Sequence, residues 1–207
     1  NLVQDDLDLA ISESAEYKFA GGQTLINVDL PGMGRDPIAL QRIARVTGLN
    51  IVASTGWYVQ FSHPPEIADK GVEELSDIMI KEIIQGIGNT GIKAGNIGEI
   101  AMSGQPHEPF QPGEEKVLRA SARAQKATGA SLTVHPNFPA DHWDTYIDIL
   151  EKEGANLSKC YMSHLGLFPN ADVPKRILSK GVGFVSYDHF GHEELFENSG
   201  GPGFGFS

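Results

Sequence analysis

Short apolar runs alternate along the chain with longer amphipathic stretches. Residues 24–30 (TLINVDL), 50–55 (NIVAST), 94–103 (AGNIGEIAMS), 131–135 (SLTVH), 160–164 (CYMSH) and 182–187 (VGFVSY) read as six strands. Between them the apolar period changes to that of helices. Asp36 caps a helix with Pro37 at its first position, and Gly48 closes it. Leu75, Ile78, Met79, Ile83 and Ile87 share one stripe of a helix over 71–87. Further helices are predicted over 113–128, over 142–153 with Gly154 as the stop, and over 172–180. One more is predicted over 5–20, ended by Gly21-Gly22. Strict alternation of strand and helix predicts a parallel sheet with helices outside.

A doubly wound sheet calls for a Gly-rich phosphate turn, and PGMGRD lacks the G-x-G-x-x-G spacing. Glu99 lies in one apolar run, while His135 and His164 each end another. Their spacings, 135 − 99 = 36 and 164 − 135 = 29 residues, suit a strand, a crossover helix and the next parallel strand. A carboxylate and two imidazoles at equivalent strand ends point to a metal site, since a buried carboxylate must be paired, protonated or metal-bound. The expected fold class is α/β, a (β/α)₈ TIM barrel. It is expected here as a fragment of about six strands, strands 2 to 7, because closing the barrel takes about eight. Residues 1–207 are read as one barrel domain truncated at both ends. Such a fragment would expose unpaired strand edges and dissolve poorly.

Composition narrows the partners. The net charge of −11 argues against nucleic acid and anionic membranes, both of which attract basic patches. No stretch approaches the roughly 20 apolar residues of a membrane span. The single cysteine, Cys160, cannot form an internal disulfide and reads as a small buried residue in a reducing, cytoplasmic setting. The expected partner is a small-molecule substrate, with a homodimer left open.

The blocks GGQTLINVD, GRDPIALQRIARVTGLNIVASTGWY, IKAGNIGEI, EEKVLRASARAQKATGASLTVHP and ILEKEGANLSKCYMSHL resemble the phosphotriesterase family of the amidohydrolase superfamily. They look most like its phosphotriesterase-related branch, in which a glutamate replaces a carbamylated lysine on the fourth strand. The resemblance implies that Glu99 bridges two divalent ions, zinc by default with manganese as the alternative. His135 and His164 would hold the more exposed ion, and a bridging hydroxide would attack an ester, lactone, amide or phosphotriester. The glutamate branch favours an ester, lactone or amide. Two family elements, a first-strand H-x-H pair and an eighth-strand aspartate, have no counterpart in the chain. The acidic residue that commonly follows the sixth-strand histidine is also absent, since the chain reads His164-Leu165-Gly166-Leu167. Asp188-His189 resembles a family D-H pair, which implies that His189 is a catalytic residue near the proton path.

Trp57 and Tyr58 end a strand at the face expected to carry the chemistry and are candidates for the substrate-pocket wall. His63, His107, His142 and His192 fall in loops or at helix starts and read as solvated. Arg119, Arg123 and Lys126 read as a solvated helix face. Competing readings are a non-catalytic binding or scaffold protein, an inactive remnant, or another metal-dependent barrel hydrolase of the superfamily, such as a deoxyribonuclease.

Overall fold

The computed structural model describes residues 5–103, 110–135, 142–167 and 171–188. Six strands form one parallel sheet in sequence order: β1 (Thr24–Ile26), β2 (Asn50–Thr55), β3 (Ala94–Ala101), β4 (Ser131–His135), β5 (Cys160–Met162) and β6 (Phe184–Val185). Helix α1 (Leu7–Phe19) precedes β1. Helices α2 (Pro37–Thr47), α3 (Val72–Ile84), α4 (Pro112–Thr128), α5 (Trp143–Glu153) and α6 (Asp172–Ser179) fill the crossovers. The sheet curls as a half-barrel with its helices outside, the α/β architecture of a TIM-barrel fragment. Among the described residues, no helix is long and apolar enough to cross a membrane.

Local chemistry accounts for the helix bounds. Asp36 accepts hydrogen bonds from the Ile38 and Ala39 amides, both at 3.0 Å, and Pro37 fills the position where an N–H is not needed. Gly48, Gly129 and Gly154 end α2, α4 and α5 in the left-handed conformation that glycine adopts without a Cβ clash. The outer strands pair over fewer residues than their apolar runs. β1 holds three ladder residues and β6 two, although Asn27 and Ser186 extend the pairing with bonds to Val52 and Met162.

Strand alternation separates two environments. Ile97, Leu132, Val134, Cys160 and Met162 face the helix layer, packed with Leu75, Met79, Val117 and Leu118 in the main core. Burying each large aliphatic side chain contributes about 1.5–3 kcal/mol. Ala120, Ala122 and Ala124 let α4 approach closely. The opposite face of the sheet is polar. Asn96 on β3 hydrogen-bonds Ser54 of β2 and Ser131 and Thr133 of β4.

Two carboxylates, one partly and one fully buried, join the layers near the strand ends. Glu82 of α3 takes a two-pronged contact from Arg35 at 2.6 and 2.8 Å and a 2.6 Å bond from the Thr55 hydroxyl. Arg35 also donates to the Ser54 carbonyl, so the PGMGRD turn is tied to both α3 and β2. Glu114, fully buried in the first turn of α4, accepts from the Gln60 amide and from the Ser103 amide and hydroxyl at 2.6–2.8 Å. It thereby links the segments that follow β2 and β3.

Candidate metal centre

Glu99, His135 and His164 converge at the carboxyl ends of β3, β4 and β5. One ligand atom from each lies within 4.8 Å of the others. Glu99 Oε2 is 3.1 Å from His135 Nδ1, and Oε1 is 3.2 Å from His164 Nε2. The three side chains are 13%, 25% and 20% exposed, so the cluster lies at a partly open surface rather than deep in the core.

Each residue reaches the site by a different backbone route. His135 follows regular alternation, on the same face of β4 as Ser131 and Thr133. Alternation alone would place Glu99 with Ile97. The register between β3 and β4 shifts between Ile97 and Ile100, where three steps on β3 match two on β4. That extra residue lets Ile97 and Ile100 both pack on the helices while Glu99 faces the histidines. Gly98 makes the bulge possible. Its φ is +108°, and a Cβ there would lie 2.3 Å from the Thr133 carbonyl oxygen. His164 would fall on the face of Cys160 and Met162 if β5 continued. It leaves the extended conformation with φ +60°. A left-handed non-glycine residue costs roughly 1–3 kcal/mol, and such residues concentrate at functional sites.

Further groups orient the two rings. His164 Nδ1 is 2.7 Å from Asp188 Oδ1, just beyond β6, and Ser186 donates to the other Asp188 oxygen at 2.7 Å. The Tyr58 hydroxyl is 3.1 Å from His135 Nε2. Burial, reinforced by the Glu99 charge, pushes the Tyr58 phenol up to about 12, so it stays protonated at neutral pH. Burial opposes charge on His164, but the hydrogen bonds to Asp188 and Glu99 outweigh it and raise its pKa to about 9. Burial likewise disfavours the Glu99 anion, yet the adjacent His135 and His164 rings hold it well below the usual carboxylate range. Asp188 also loses solvation, and His164 and Ser186 bring it down to about 2.

The donor set fits a divalent cation. His135 Nδ1 is buried and makes no hydrogen bond despite its proximity to the Glu99 carboxylate. With Nδ1 of His164 engaged by Asp188, Nε2 is the nitrogen presented to Glu99. Two imidazole nitrogens and a carboxylate, with the far nitrogen of each ring hydrogen-bonded to a carboxylate or a phenol, match the usual make-up of a zinc or manganese site.

Sequence comparison accords with this geometry. Residues 3–199 match the phosphotriesterase family. The chain belongs to the phosphotriesterase family. It is 36% identical over 198 residues to a phosphotriesterase-related protein of Nematostella vectensis, covering 95% of this chain and 55% of that protein. It is 36% identical over 197 residues to the N-acetyltaurine hydrolase of Homo sapiens, covering 94% and 55% respectively. The fold superposes with a TM-score of 0.82 and 29% identity on a phosphotriesterase homology protein from Escherichia coli, whose structure holds phosphate in its active site. That match covers 93% of this chain and 64% of that one. The chain spans about half the length of the curated relatives it matches.

The other candidates are distributed more widely. Tyr58 touches the site through His135, whereas Trp57 is 4% exposed within the main core. His189, His107 and His192 lie outside the described residues. His63 is not simply solvated. It is half-buried with Nε2 2.9 Å from the Tyr58 carbonyl oxygen, and burial lowers its pKa. The ring of His142 packs on Phe110, and its Nε2 is buried. Arg119 and Arg123 are partly exposed but grip Glu153 of α5 at 2.8 Å each. Cys160 is fully buried and its thiol is pushed up to about 12, consistent with an inert packing residue.

Asp188 supplies a carboxylate for His164 where the residues immediately after His164 offer none. In sequence it showed only as half of the Asp188-His189 pair. Asn96 and Glu114 were missed. A polar residue inside an otherwise apolar strand, and an acid in the first turn of a helix, were the available signals.

Proposed function

We propose that this chain carries part of the active site of a metal-dependent hydrolase acting on the amide bond of a small N-acylated substrate. The observation that carries the reading is the convergence of Glu99, His135 and His164 from three successive strand ends. Relatives named N-acetyltaurine hydrolase support an amide over a lactone, another ester or a phosphotriester.

His135 Nδ1, His164 Nε2 and the Glu99 carboxylate would hold divalent metal, zinc by default and manganese as the alternative. When bound, such ions polarise the scissile carbonyl and lower the pKa of water, so that a hydroxide nucleophile is available near neutral pH. The remaining roles belong to the chain. Glu99 contributes the negative charge that offsets the cations and is fixed by its bulge, with no carbon dioxide needed to assemble it. Asp188 holds the Nδ1–H of His164, which fixes the tautomer that leaves Nε2 free to coordinate. Tyr58 braces His135 in the same way and, being protonated, can donate a hydrogen bond to a substrate oxygen. His189, next to Asp188 in the chain, is proposed to carry the proton released in the reaction.

The test is a hydrolysis panel of N-acetyltaurine, other N-acyl amino acids, lactones and phosphotriesters, run on the intact protein and on Glu99→Gln. Amide hydrolysis that depends on added metal and falls by several orders of magnitude in Glu99→Gln is expected. Turnover unaffected by chelation and by Glu99→Gln would overturn the proposal.

A further inference from the structure

Asn96 lies on the polar face of β3, three residues before Glu99, and is completely buried. Its amide nitrogen donates to Ser54 Oγ at 3.1 Å and to the Gly98 carbonyl at 3.2 Å. Its oxygen accepts from Ser131 Oγ at 2.7 Å and Thr133 Oγ1 at 3.2 Å. Both donors and both acceptor positions are therefore used. Barrel interiors are ordinarily filled by bulky branched side chains. A buried polar hub is tolerated only when fully satisfied, and it then rigidifies what it touches.

The bonds to Ser54, Ser131 and Thr133 hold neighbouring strands together. The bond to Gly98 does not, because it runs from residue to residue plus two within β3. Its effect is local, since it grips the peptide unit that delivers Glu99. Gly98 also lies close to the Thr133 carbonyl, where a Cβ would come within 2.3 Å. Gly98 is thus contacted by both a side-chain amide and a neighbouring strand's backbone, immediately before Glu99.

We propose that Asn96 is a positioning residue for the metal-binding carboxylate, acting through the Gly98 carbonyl to hold the bulge that aims Glu99 at His135 and His164. The inference rests on the metal-centre reading above. Asn96→Asp retains the shape and the acceptor oxygen but removes both donors and places a second acceptor against the Gly98 carbonyl. Asn96→Leu removes the hub. Ser131→Ala cuts a cross-strand bond of the same hub and leaves the Gly98 contact intact.

The experiment titrates the metal-free intact protein with Co²⁺ against a competing chelator, following visible absorption, with melting temperature recorded for each variant. Asn96→Asp and Asn96→Leu are expected to bind Co²⁺ about 10–100-fold more weakly than wild type, the usual effect of losing an outer-shell support. Their visible bands are expected to shift. Ser131→Ala is expected to lower the melting temperature while binding Co²⁺ within about twofold of wild type. The inference is overturned if Asn96→Asp binds as tightly as wild type, or if Ser131→Ala weakens binding as much. It is equally overturned if neither Asn96 variant keeps the wild-type circular dichroism, for the hub is then a determinant of the fold. A wild type that takes up no Co²⁺, or a Glu99→Gln variant that matches wild type, sinks the metal-centre reading and this inference with it. Wild-type uptake, lost in Glu99→Gln but retained in Asn96→Asp, removes the positioning role alone.

Discussion

Replacing Asp188 by asparagine separates the charge of the His164–Asp188 contact from its shape. The metal-free protein holds His164 at about 9, against an ordinary value of 6.5. At 1.36 kcal/mol per pKa unit, that displacement corresponds to about 3 kcal/mol of preference for the charged ring. Asp188 and Glu99 share it, and the ring is 20% exposed, so solvent screens part of it. Loss of the Asp188 charge alone is expected to cost about 1–2 kcal/mol. The sign follows from a folded-state pKa above the unfolded one. The stabilisation is complete below about 6.5 and disappears as pH rises through about 9. Asp188→Asn should therefore destabilise the metal-free protein more at pH 6 than at pH 10, read by urea unfolding in the presence of chelator. Nuclear magnetic resonance titration should place the His164 midpoint near 9 in wild type and at least one unit lower in the variant. Because the proton on Nε2 competes with a cation, metal affinity in wild type should rise with pH until about 9 and level off earlier in Asp188→Asn. A His164 midpoint within 0.3 unit of wild type (about 0.4 kcal/mol), or equal destabilisation at both pH values, would refute the reasoning.

Glu114→Gln keeps the shape of the buried strut but retains at most two of its three accepted hydrogen bonds, now neutral, because one side of the side chain becomes an amide N–H₂. A loss of about 2–4 kcal/mol is expected by calorimetry, with metal content unchanged, because Glu114 touches none of the three candidate ligands. The 207-residue chain expressed alone is expected to self-associate. Among the described residues β1 and β6 each have one neighbour, and Ile26 and Phe184 are 49% and 67% exposed. A monodisperse monomer by sedimentation would contradict this.

Much of the architecture was legible because local signals agreed with one another. Asp36-Pro37 at the start and Gly48 at the end bracket α2, and the strand–helix alternation fixed a parallel sheet. Glu99, His135 and His164 stood out because a strand-end histidine and a carboxylate in an apolar run are costly without a shared partner. The way Glu99 reaches that partner was not legible. Simple alternation sends it to the helix layer with Ile97, and only the pairing of β3 against β4 shows the additional residue at Gly98–Glu99. His164 presents the same difficulty, since its inward turn depends on a φ of +60° that no spacing announces. Asp188 supports His164 from just beyond β6, a segment that joins it only in three dimensions, 24 residues later. The pocket-wall expectation for Trp57 and Tyr58 could not separate two adjacent residues. β2 ends at Thr55, and in the irregular segment after it Trp57 is buried in the core while Tyr58 reaches His135. The apolar runs overstate the outer strands, because they show where a strand can form, whereas the ladder extends only where a neighbour supplies bonds.

The central claim is that Glu99, His135 and His164 bind metal together. Anomalous diffraction from crystals of the intact protein grown with zinc tests it most directly. The account predicts a peak about 2.0–2.2 Å from His135 Nδ1, His164 Nε2 and a Glu99 oxygen, lost or halved in Glu99→Gln crystals. A peak held by other residues, or one that persists at full height in Glu99→Gln, would contradict it.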